Sequence, residues 1–304
     1  MSQVLAVVGP TAAGKSDLGV ALARELGGEV VNADSMQLYR GMDVGTAKLP
    51  LGERRGVPHH LLDIWPVTRT ATAADYQALC RGVVDELQGR GVVPVLVGGS
   101  GLYLRAALDD LQFPGTDPEL RAALEAELAR DGALALHARL LALDPAAAAR
   151  MEPTNGRRTV RALEVVTLTG SMPGALTSYG EHVPTTWIGV DRPDLAERIE
   201  QRVDRMWIAE LVEEVQRLEV VGLRAGVTAS RALGYAQVLG ALDGRWDLEQ
   251  ARALTVTATR RFARRQRAWF RRDPRVHWLD PERDLLPQAL DAMSVRRAVL
   301  PGHG

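Results

Sequence analysis

The sequence predicts an α/β protein in which a parallel sheet carries a helical insertion, and three features of its 304 residues lead to that class. Short apolar segments alternate with helical segments over residues 3–97, which is the pattern of consecutive βαβ units. Each apolar segment is followed by glycine or polar residues, as are strand ends that bind ligands in open parallel sheets. From residue 115 the strand pattern gives way to Ala, Leu, Arg and Glu at helical spacing. The 46% hydrophobic content suffices for such a core and excludes a disordered chain.

The predicted strands are short runs dominated by apolar residues, and their bounds are 3–8, 29–33, 92–97, 186–190 and 276–279. The predicted helices carry apolar residues at helical spacing, and their bounds are 15–26, 73–88, 195–218 and 247–272. Residues 115–183 are predicted to form a separate helical domain, punctuated by Asp-Pro and Glu-Pro steps. The core domain then comprises residues 1–114 and 184–304.

Charge and cysteine content exclude several classes of protein. With 37 basic and 38 acidic side chains the formal net charge is -1, so any nucleic-acid site must be a local patch. Cys80 is the only cysteine, which excludes an internal disulfide and fits the reducing cytoplasm, the expected location. The apolar runs are far shorter than the roughly 20 residues of a membrane helix, and the N-terminus opens into a strand without a basic leader. We therefore expect neither membrane insertion nor a secretion signal.

Lysine occurs only at Lys15 and Lys48, so nearly all of the basic residues are arginines. A compact ammonium on a slim stem fits sites enclosed by backbone that a planar guanidinium does not enter. We therefore expect both lysines to grip a partner group. The alternative for Lys48 is that it is a chance survivor in an arginine-rich sequence.

A Walker A motif lies between the first predicted strand and the first predicted helix. Its glycines allow backbone N–H groups to surround an anion, and the following helix N-terminus adds partial positive charge. Lys15 is placed to reach phosphate oxygens, and the Ser16 hydroxyl can bind Mg²⁺. The motif predicts a core like that of the P-loop NTPases, binding phosphate or diphosphate. It does not specify ATP. The residues are Gly9, Pro10, Thr11, Ala12, Ala13, Gly14, Lys15 and Ser16.

An acidic residue, Asp34, follows the second predicted strand. Because the carboxyl ends of parallel strands share one edge, residues 9–16, 34–37 and 98–101 should converge there. Asp34 has three possible roles: binding Mg²⁺ through water, accepting a proton from a nucleophile, or capping a turn. The third strand ends in glycines without an acid. This argues against activation of water at a γ-phosphate and favours a transferase.

Two groups of arginines stand out against the neutral average. Arg157, Arg158 and Arg161 lie in the insertion, and seven arginines crowd residues 260–272 among aromatic side chains. Both groups suit nucleic-acid phosphates, although a solvated helix face is the ordinary explanation of such a run. The adjacent pair His59 and His60 lacks a second ligand cluster, so a structural turn is favoured over a metal site.

Seven motifs together resemble the tRNA dimethylallyltransferases of the MiaA type. They follow that family's order over nearly the whole chain, at residues 9–16, 34–40, 43–48, 58–64, 98–103, 158–165 and 259–266. The resemblance implies transfer of a dimethylallyl group from dimethylallyl diphosphate to N6 of adenine 37, next to the anticodon, in tRNAs that read codons starting with U. It also implies Mg²⁺, a monomer, and an insertion at 115–183 that clasps the anticodon stem-loop.

The same resemblance assigns roles to individual residues. Asp34 is expected to act as general base, with Ser100 near the reacting centre and Arg231 on the diphosphate. The phosphate loop, residues 9–16, is expected to hold the diphosphate, with Ser16 as a metal ligand. The implied tRNA contacts are Asp34, Ser35, Met36, Gln37, Lys48, Ser100, Arg121, Arg157, Arg158, Thr159, Val160 and Arg161.

The sequence departs from the family pattern at a few positions, and other functions stay open. Serine replaces the usual threonine at Ser100, Leu49 intervenes before a proline, and Ala209 replaces a usual glycine. The main alternative is a P-loop kinase for a small molecule or nucleotide, in which Asp34 activates a hydroxyl. An enzyme that prenylates free adenine nucleotides and a non-catalytic RNA-binding module are the others.

Overall fold

The computed structural model describes residues 3–173 and 179–299, with side chains described as far as residue 294. It divides into two compact units. The first comprises Met1–Asp110 and Glu181–Gly304, and the second comprises Leu111–Gly180. The second unit thus starts and ends a few residues before the 115–183 predicted for the insertion.

The first unit contains a six-stranded sheet in the order β3-β2-β4-β1-β5-β6. Every pairing in it is parallel, which confirms the predicted α/β class. The strands are β1 Val4–Val8, β2 Gly28–Asn32, β3 His59–His60, β4 Val93–Gly98, β5 Thr185–Gly189 and β6 Val276–Trp278. Alternate residues of β1 enter two separate apolar clusters, with Val4, Ala6 and Val8 on one face and Leu5 and Val7 on the other. Both faces of the central strands are therefore buried, as their apolar runs predict.

Eleven helices accompany the sheet in the described residues. They are α1 Lys15–Leu26, α2 Ala73–Gly89, α3 Gly101–Leu108, α4 Pro118–Leu143, α5 Pro145–Ala148, α6 Gly156–Thr169, α7 Leu195–Ile208, α8 Leu211–Val220, α9 Tyr235–Leu242, α10 Leu248–Phe270 and α11 Leu285–Val299. Helices α4 to α6 belong to the second unit and the others to the first.

The single helix predicted at 195–218 is in fact two helices, α7 and α8. The break lies at Glu210, whose φ of 66° is left-handed and ends the helical hydrogen bonding. Apolar periodicity continues across the break, because Val203 and Leu211 are both buried, so the spacing alone did not show it. Strand β3 and helices α3, α9 and α11 were not predicted. Strand β3 has only two residues, too few for a periodic signal.

The second unit is a small helical domain with its own core. Helix α4 is interrupted at Gly132, where φ is 83°, and its second half packs against α6 through Leu136, Leu140 and Leu163. The buried carboxylate of Glu164 accepts a hydrogen bond from the backbone N–H of Asp117 at 3.0 Å. This fixes the start of α4 against α6.

Within the described ranges, no helix combines the length and apolar character that crossing a bilayer requires.

Candidate active site

The phosphate loop at residues 9–16 joins β1 to α1 in a tight, left-handed curl. Gly9, Ala12 and Gly14 have φ values of 143°, 66° and 96°. A β-carbon at Gly9 would collide with the carbonyl oxygen of Val190, so the loop lies directly against the end of β5. The Lys15 ammonium donates to the Pro10 carbonyl at 2.7 Å, which folds its side chain back over the loop. The loop thus has the strand-loop-helix context that the Walker A motif predicts.

Two arginines of α7 contact this loop, and the sequence analysis did not find them. Arg202 Nη1 donates to Thr11 Oγ1 at 3.1 Å, and Arg198 Nε donates to the Ala12 carbonyl at 2.9 Å. They are four residues apart and so share one face of the helix. A cavity of about 520 Å³ opens here, and its lining residues are Ala12, Arg198, Gln201, Arg202, Asp204 and Arg205.

The cationic side chains at the phosphate loop repel one another. Loss of hydration, followed by the nearby charge of Arg202, lowers the pKa of Lys15 to about 7, and Asp34 opposes this shift. Burial, together with Arg205 and Arg198, lowers the pKa of Arg202. Positive charge gathered at a helix N-terminus without a carboxylate in contact is the electrostatic signature of an anion site. A diphosphate is an anion of this kind.

Asp34 lies two residues after the end of β2 and is oriented by hydrogen bonds to nearby residues. Its Oδ1 accepts from the Met36 N–H at 2.9 Å, and its own N–H donates to Asn32 Oδ1 at 2.9 Å. The Asn32 amide is fixed in turn by a 3.0 Å hydrogen bond to the Leu61 carbonyl. Asp34 Oδ2 accepts no hydrogen bond from the described residues, and the side chain is half-buried. The carboxylate is therefore oriented yet keeps one oxygen free to accept a proton.

Ser100 ties the end of β4 to the segment that contains Asp34. It precedes α3, and its Oγ accepts from the Ser35 N–H at 3.2 Å. Gln266 of α10 ties the same turn to the phosphate loop: its Oε1 accepts from the Thr11 N–H at 2.8 Å and its Nε2 donates to the Gly99 carbonyl at 2.9 Å. The predicted convergence of residues 9–16, 34–37 and 98–101 is confirmed.

Lys48 does grip a partner, but the partner lies inside the protein. Its side chain is 3% exposed, and the ammonium donates to Asp43 Oδ1 and Asp63 Oδ1, each at 2.6 Å, and to the Tyr39 carbonyl at 3.1 Å. An ammonium has three donors, and all three are used. The structure therefore assigns Lys48 a structural role, and the tRNA contact expected of it is left without a free donor.

Glu214 of α8 holds the loop at residues 43–45 and was also not predicted. Its buried carboxylate accepts from the N–H groups of Asp43, Val44 and Gly45 at 3.0, 2.8 and 3.2 Å. The Tyr235 hydroxyl donates to the same carboxylate at 2.5 Å, and burial raises the pKa of that hydroxyl. The Gln37 amide donates to the Thr46 carbonyl at 3.1 Å, which connects this loop to residues 34–37.

Arg231 is not brought to the phosphate loop by any hydrogen bond. It ends a short 3₁₀ turn, Ala229–Arg231, and its exposed guanidinium forms no hydrogen bond or ion pair within the described residues. Arg202, by contrast, contacts Thr11 directly. Arg202 is therefore a further candidate for the diphosphate by its direct contact with the loop, and the role expected of Arg231 stays a prediction.

The predicted contacts in the second unit separate into three groups. Arg157 and Arg158 are exposed in the first turn of α6, where cations oppose the helix dipole. Thr159 and Val160 are buried beside them. The remaining two arginines are partly exposed but have partners in the protein: Arg161 donates to Glu164 at 2.6 Å and to the Pro114 carbonyl at 2.8 Å, and Arg121 pairs with Glu164.

Metal-binding side chains are sparse in the part of the chain that the structure describes. It contains no group of three or more His, Cys, Asp or Glu suited to an ion. His60 pairs with Glu29 at 2.6 Å, and His59 Nδ1 lies 2.9 Å from the Val57 carbonyl, so both have structural partners. Ser16 is exposed at the start of α1, with its hydroxyl available to an ion that a bound phosphate also ligates.

Comparison with known proteins agrees with this geometry. The family model described as IPP transferase matches residues 37–273. The tRNA dimethylallyltransferase of Thermobifida fusca is 64% identical over 287 residues, covering 92% of this chain and 90% of the relative. That of Streptomyces coelicolor is 65% identical over 284 residues, covering 91% and 90%.

Solved structures agree in fold over the same length. The full-length tRNA isopentenylpyrophosphate transferase of Bacillus halodurans has a TM-score of 0.72 at 39% identity, covering 98% of this chain and 96% of that one. A eukaryotic dimethylallyltransferase acting on tRNA has a TM-score of 0.78 at 25% identity, covering 98% and 78%. With a matching family model over most of its length and relatives above 60% identity, the chain belongs to the IPP transferase family.

Proposed function

We propose that the chain is a tRNA dimethylallyltransferase. It transfers the dimethylallyl group of dimethylallyl diphosphate to N6 of adenine 37 in tRNAs that read codons starting with U, and it releases diphosphate. One observation carries the proposal: β1 and β2, which lie on either side of β4, place a cationic phosphate loop and an oriented carboxylate, Asp34, at one edge of the sheet. The names of the curated relatives support the same activity.

The phosphate loop here holds a leaving group. As the allylic C–O bond breaks, negative charge grows on the departing diphosphate. Lys15, Arg198 and Arg202 already face the loop, and the backbone N–H groups at the start of α1 add to them. Donors and charges that are in place before the reaction stabilise the transition state without reorganising.

Asp34 is proposed to act on the nucleophile. The exocyclic amine of adenine is a weak nucleophile, because its lone pair is delocalised into the ring. As the new C–N bond forms, N6 must lose one proton, and the free Oδ2 of Asp34 accepts it. Ser100 accepts a hydrogen bond from Ser35, the residue that follows Asp34 in the chain. Ser100 is proposed to position the amine.

Mg²⁺ is proposed to bind through Ser16 and the diphosphate oxygens. Because the described residues contain no group of three or more His, Cys, Asp or Glu suited to an ion, the bound diphosphate and water would supply the other ligands. When bound there, the ion would neutralise part of the charge on the leaving group.

The helical insertion is proposed to bind the anticodon stem-loop, with Arg157 and Arg158 on its phosphates. Both guanidiniums are exposed and carry no acidic partner among the described residues, although cations at a helix N-terminus lower stability slightly. A phosphate there would satisfy the guanidiniums and the helix dipole together. We propose that the enzyme acts on tRNA in the cytoplasm, as a monomer.

The proposed activity is tested by incubating the protein with dimethylallyl diphosphate, Mg²⁺ and unmodified tRNA. Mass spectrometry of the digested tRNA should show one added prenyl unit on the adenine beside the anticodon. A parallel reaction with ATP and the same tRNA should transfer no phosphoryl group. Phosphoryl transfer without prenylation would instead support the kinase alternative.

A further inference from the structure

Trp269, near the end of α10, exposes an unusual amount of aromatic surface. Its relative exposure is 38%, whereas the next residue, Phe270, is 2% exposed. An exposed indole costs hydrophobic free energy unless another molecule covers it.

The indole lies at the reaction edge of the sheet. A β-carbon at Gly101 would collide with Trp269 Nε1 and Cδ1 and would stand 2.8 Å from Cε2, so the ring packs on the Gly101 backbone. Gly101 follows Ser100, whose Oγ is bonded to the segment that contains Asp34. One turn earlier on α10, Gln266 binds both the phosphate loop and Gly99. The indole thus borders the turn at which the amine is proposed to react.

The same helix presents exposed cations beside the indole, and one of them, Arg265, lies over the Phe262 ring at 5.7 Å from its centroid. Arg261, Arg264 and Arg265 are exposed and form no ion pair within the described ranges. Other arginines of this helix are neutralised, since Arg260 pairs with Glu200 and Arg267 with Asp191. Residues 261, 265 and 269 are four apart and share one face. That face therefore carries guanidiniums followed by an aromatic ring.

We propose that Trp269 is a stacking platform for a nucleobase that flanks the adenine to be modified. This inference rests on the proposed function and deepens it. Taking a base out of the loop stack costs a few kcal/mol, and an aromatic face at the point of extraction offsets part of that cost. Arg261 and Arg265 bind the phosphates that lead to this base. Guanidiniums on the same face suit a polyanion better than a prenyl chain.

The test uses an anticodon stem-loop RNA with 2-aminopurine in place of a base flanking the target adenine. Binding to the wild-type protein should quench the 2-aminopurine fluorescence by stacking. Trp269→Leu keeps an apolar cover on Gly101 but removes the aromatic face, and it should abolish the quenching and weaken RNA binding roughly ten-fold. Trp269→Phe should retain most of both. Leu248→Ala, which removes an exposed side chain at the opposite end of α10, is the matched control and should change neither.

The outcomes separate the two proposals. Equal quenching and affinity in the Trp269→Leu variant, with its thermal unfolding unchanged, would overturn the stacking role. A raised KM for dimethylallyl diphosphate with unchanged RNA affinity would also overturn it, because the indole would then line the prenyl path. A wild-type protein that quenches the probe but transfers no prenyl group would refute the proposed function while supporting the platform.

Discussion

The two lysines of the chain lie in opposite electrostatic surroundings. Lys48 sits between the carboxylates of Asp43 and Asp63, and its charge is neutralised inside the protein. Lys15 has no carboxylate in contact among the described residues and shares its loop with Arg198 and Arg202. Each of the two lysines occupies a site that requires a compact ammonium, but the role of the ammonium differs between the sites. Lys48, which is paired with two carboxylates, stabilises the fold. Lys15, which lies among other cations, is placed to bind an anion.

The largest effect is expected on turnover, from substitution of Asp34, the carboxylate whose charge acts on Lys15. Asp34→Asn keeps the oxygen that accepts from Met36 but removes the proton acceptor, so turnover should fall by about 10²–10⁴-fold with tRNA affinity largely retained. Steady-state prenyl transfer and filter binding measure the two quantities. Asp63→Asn, which alters the partner of Lys48, is the control and should mainly lower stability. Near-normal turnover in the Asp34 variant would remove its role as base.

The next largest effect distinguishes two arginines. Arg202→Ala should raise the KM for dimethylallyl diphosphate roughly ten-fold or more, because a charge-assisted hydrogen bond contributes about 1.5–3 kcal/mol. Arg231→Ala should change that KM by less than about two-fold, since its guanidinium is exposed and unpaired in the described structure. A larger loss at Arg231 would return the diphosphate role to that residue.

Substitutions of the two lysines should have different effects on the free energy of unfolding. Lys48→Met leaves two carboxylates unpaired and should lower the free energy of unfolding by about 1–3 kcal/mol, a value discounted because Asp43 and Asp63 are 57% and 41% exposed. Lys15→Met removes an ammonium whose pKa is lowered by burial and by the charge of Arg202, so it should not lower the free energy of unfolding and should raise it. Urea unfolding of both variants makes the comparison. A destabilised Lys15 variant and an unaffected Lys48 variant would show that Lys15, not Lys48, is the structural lysine.

The smallest effect is a dependence of anion binding on pH. The pKa of Lys15 is lowered to about 7, so below that pH the ammonium is charged and above it the amine is neutral. A bound anion raises this pKa, so binding takes up a proton. The affinity for inorganic diphosphate should therefore weaken as the pH rises above about 7, by at most roughly ten-fold per pH unit from this group.

Calorimetry in buffers of different ionisation enthalpy measures the proton uptake. The diphosphate itself also titrates, so Lys15→Met serves as the control, and the difference between the two proteins belongs to Lys15. Identical proton uptake in both would contradict the lowered pKa.

Local patterns in the sequence were sufficient for the sheet, the phosphate loop and the convergence of strand ends. Apolar runs define β1 and β4 because a strand buried on both faces has no polar alternation to obscure it. The phosphate loop is a contiguous motif whose chemistry depends mostly on its own backbone. Buried strands and the phosphate loop can both be predicted because each depends on a few consecutive residues.

Features that depend on distant partners were not available from the sequence. Arg202 lies 191 residues from Thr11 and Gln266 lies 255 residues from it, so no spacing rule connects them. The sequence predicts one binding segment at 157–161, yet a helix turns successive residues to different faces. Arg157 and Arg158 are exposed as a result, while Thr159 and Val160 are buried.

The single amide of Gln266 limits what any substitution there can achieve. Its oxygen and its nitrogen serve opposite polarities at once, one toward Thr11 and one toward Gly99. Glutamate would present a second acceptor to a carbonyl, lysine would present a donor to an N–H, and a flipped amide would mismatch both ends. Redesign of this enzyme for bulkier prenyl donors must therefore leave that side chain in place and widen the pocket elsewhere.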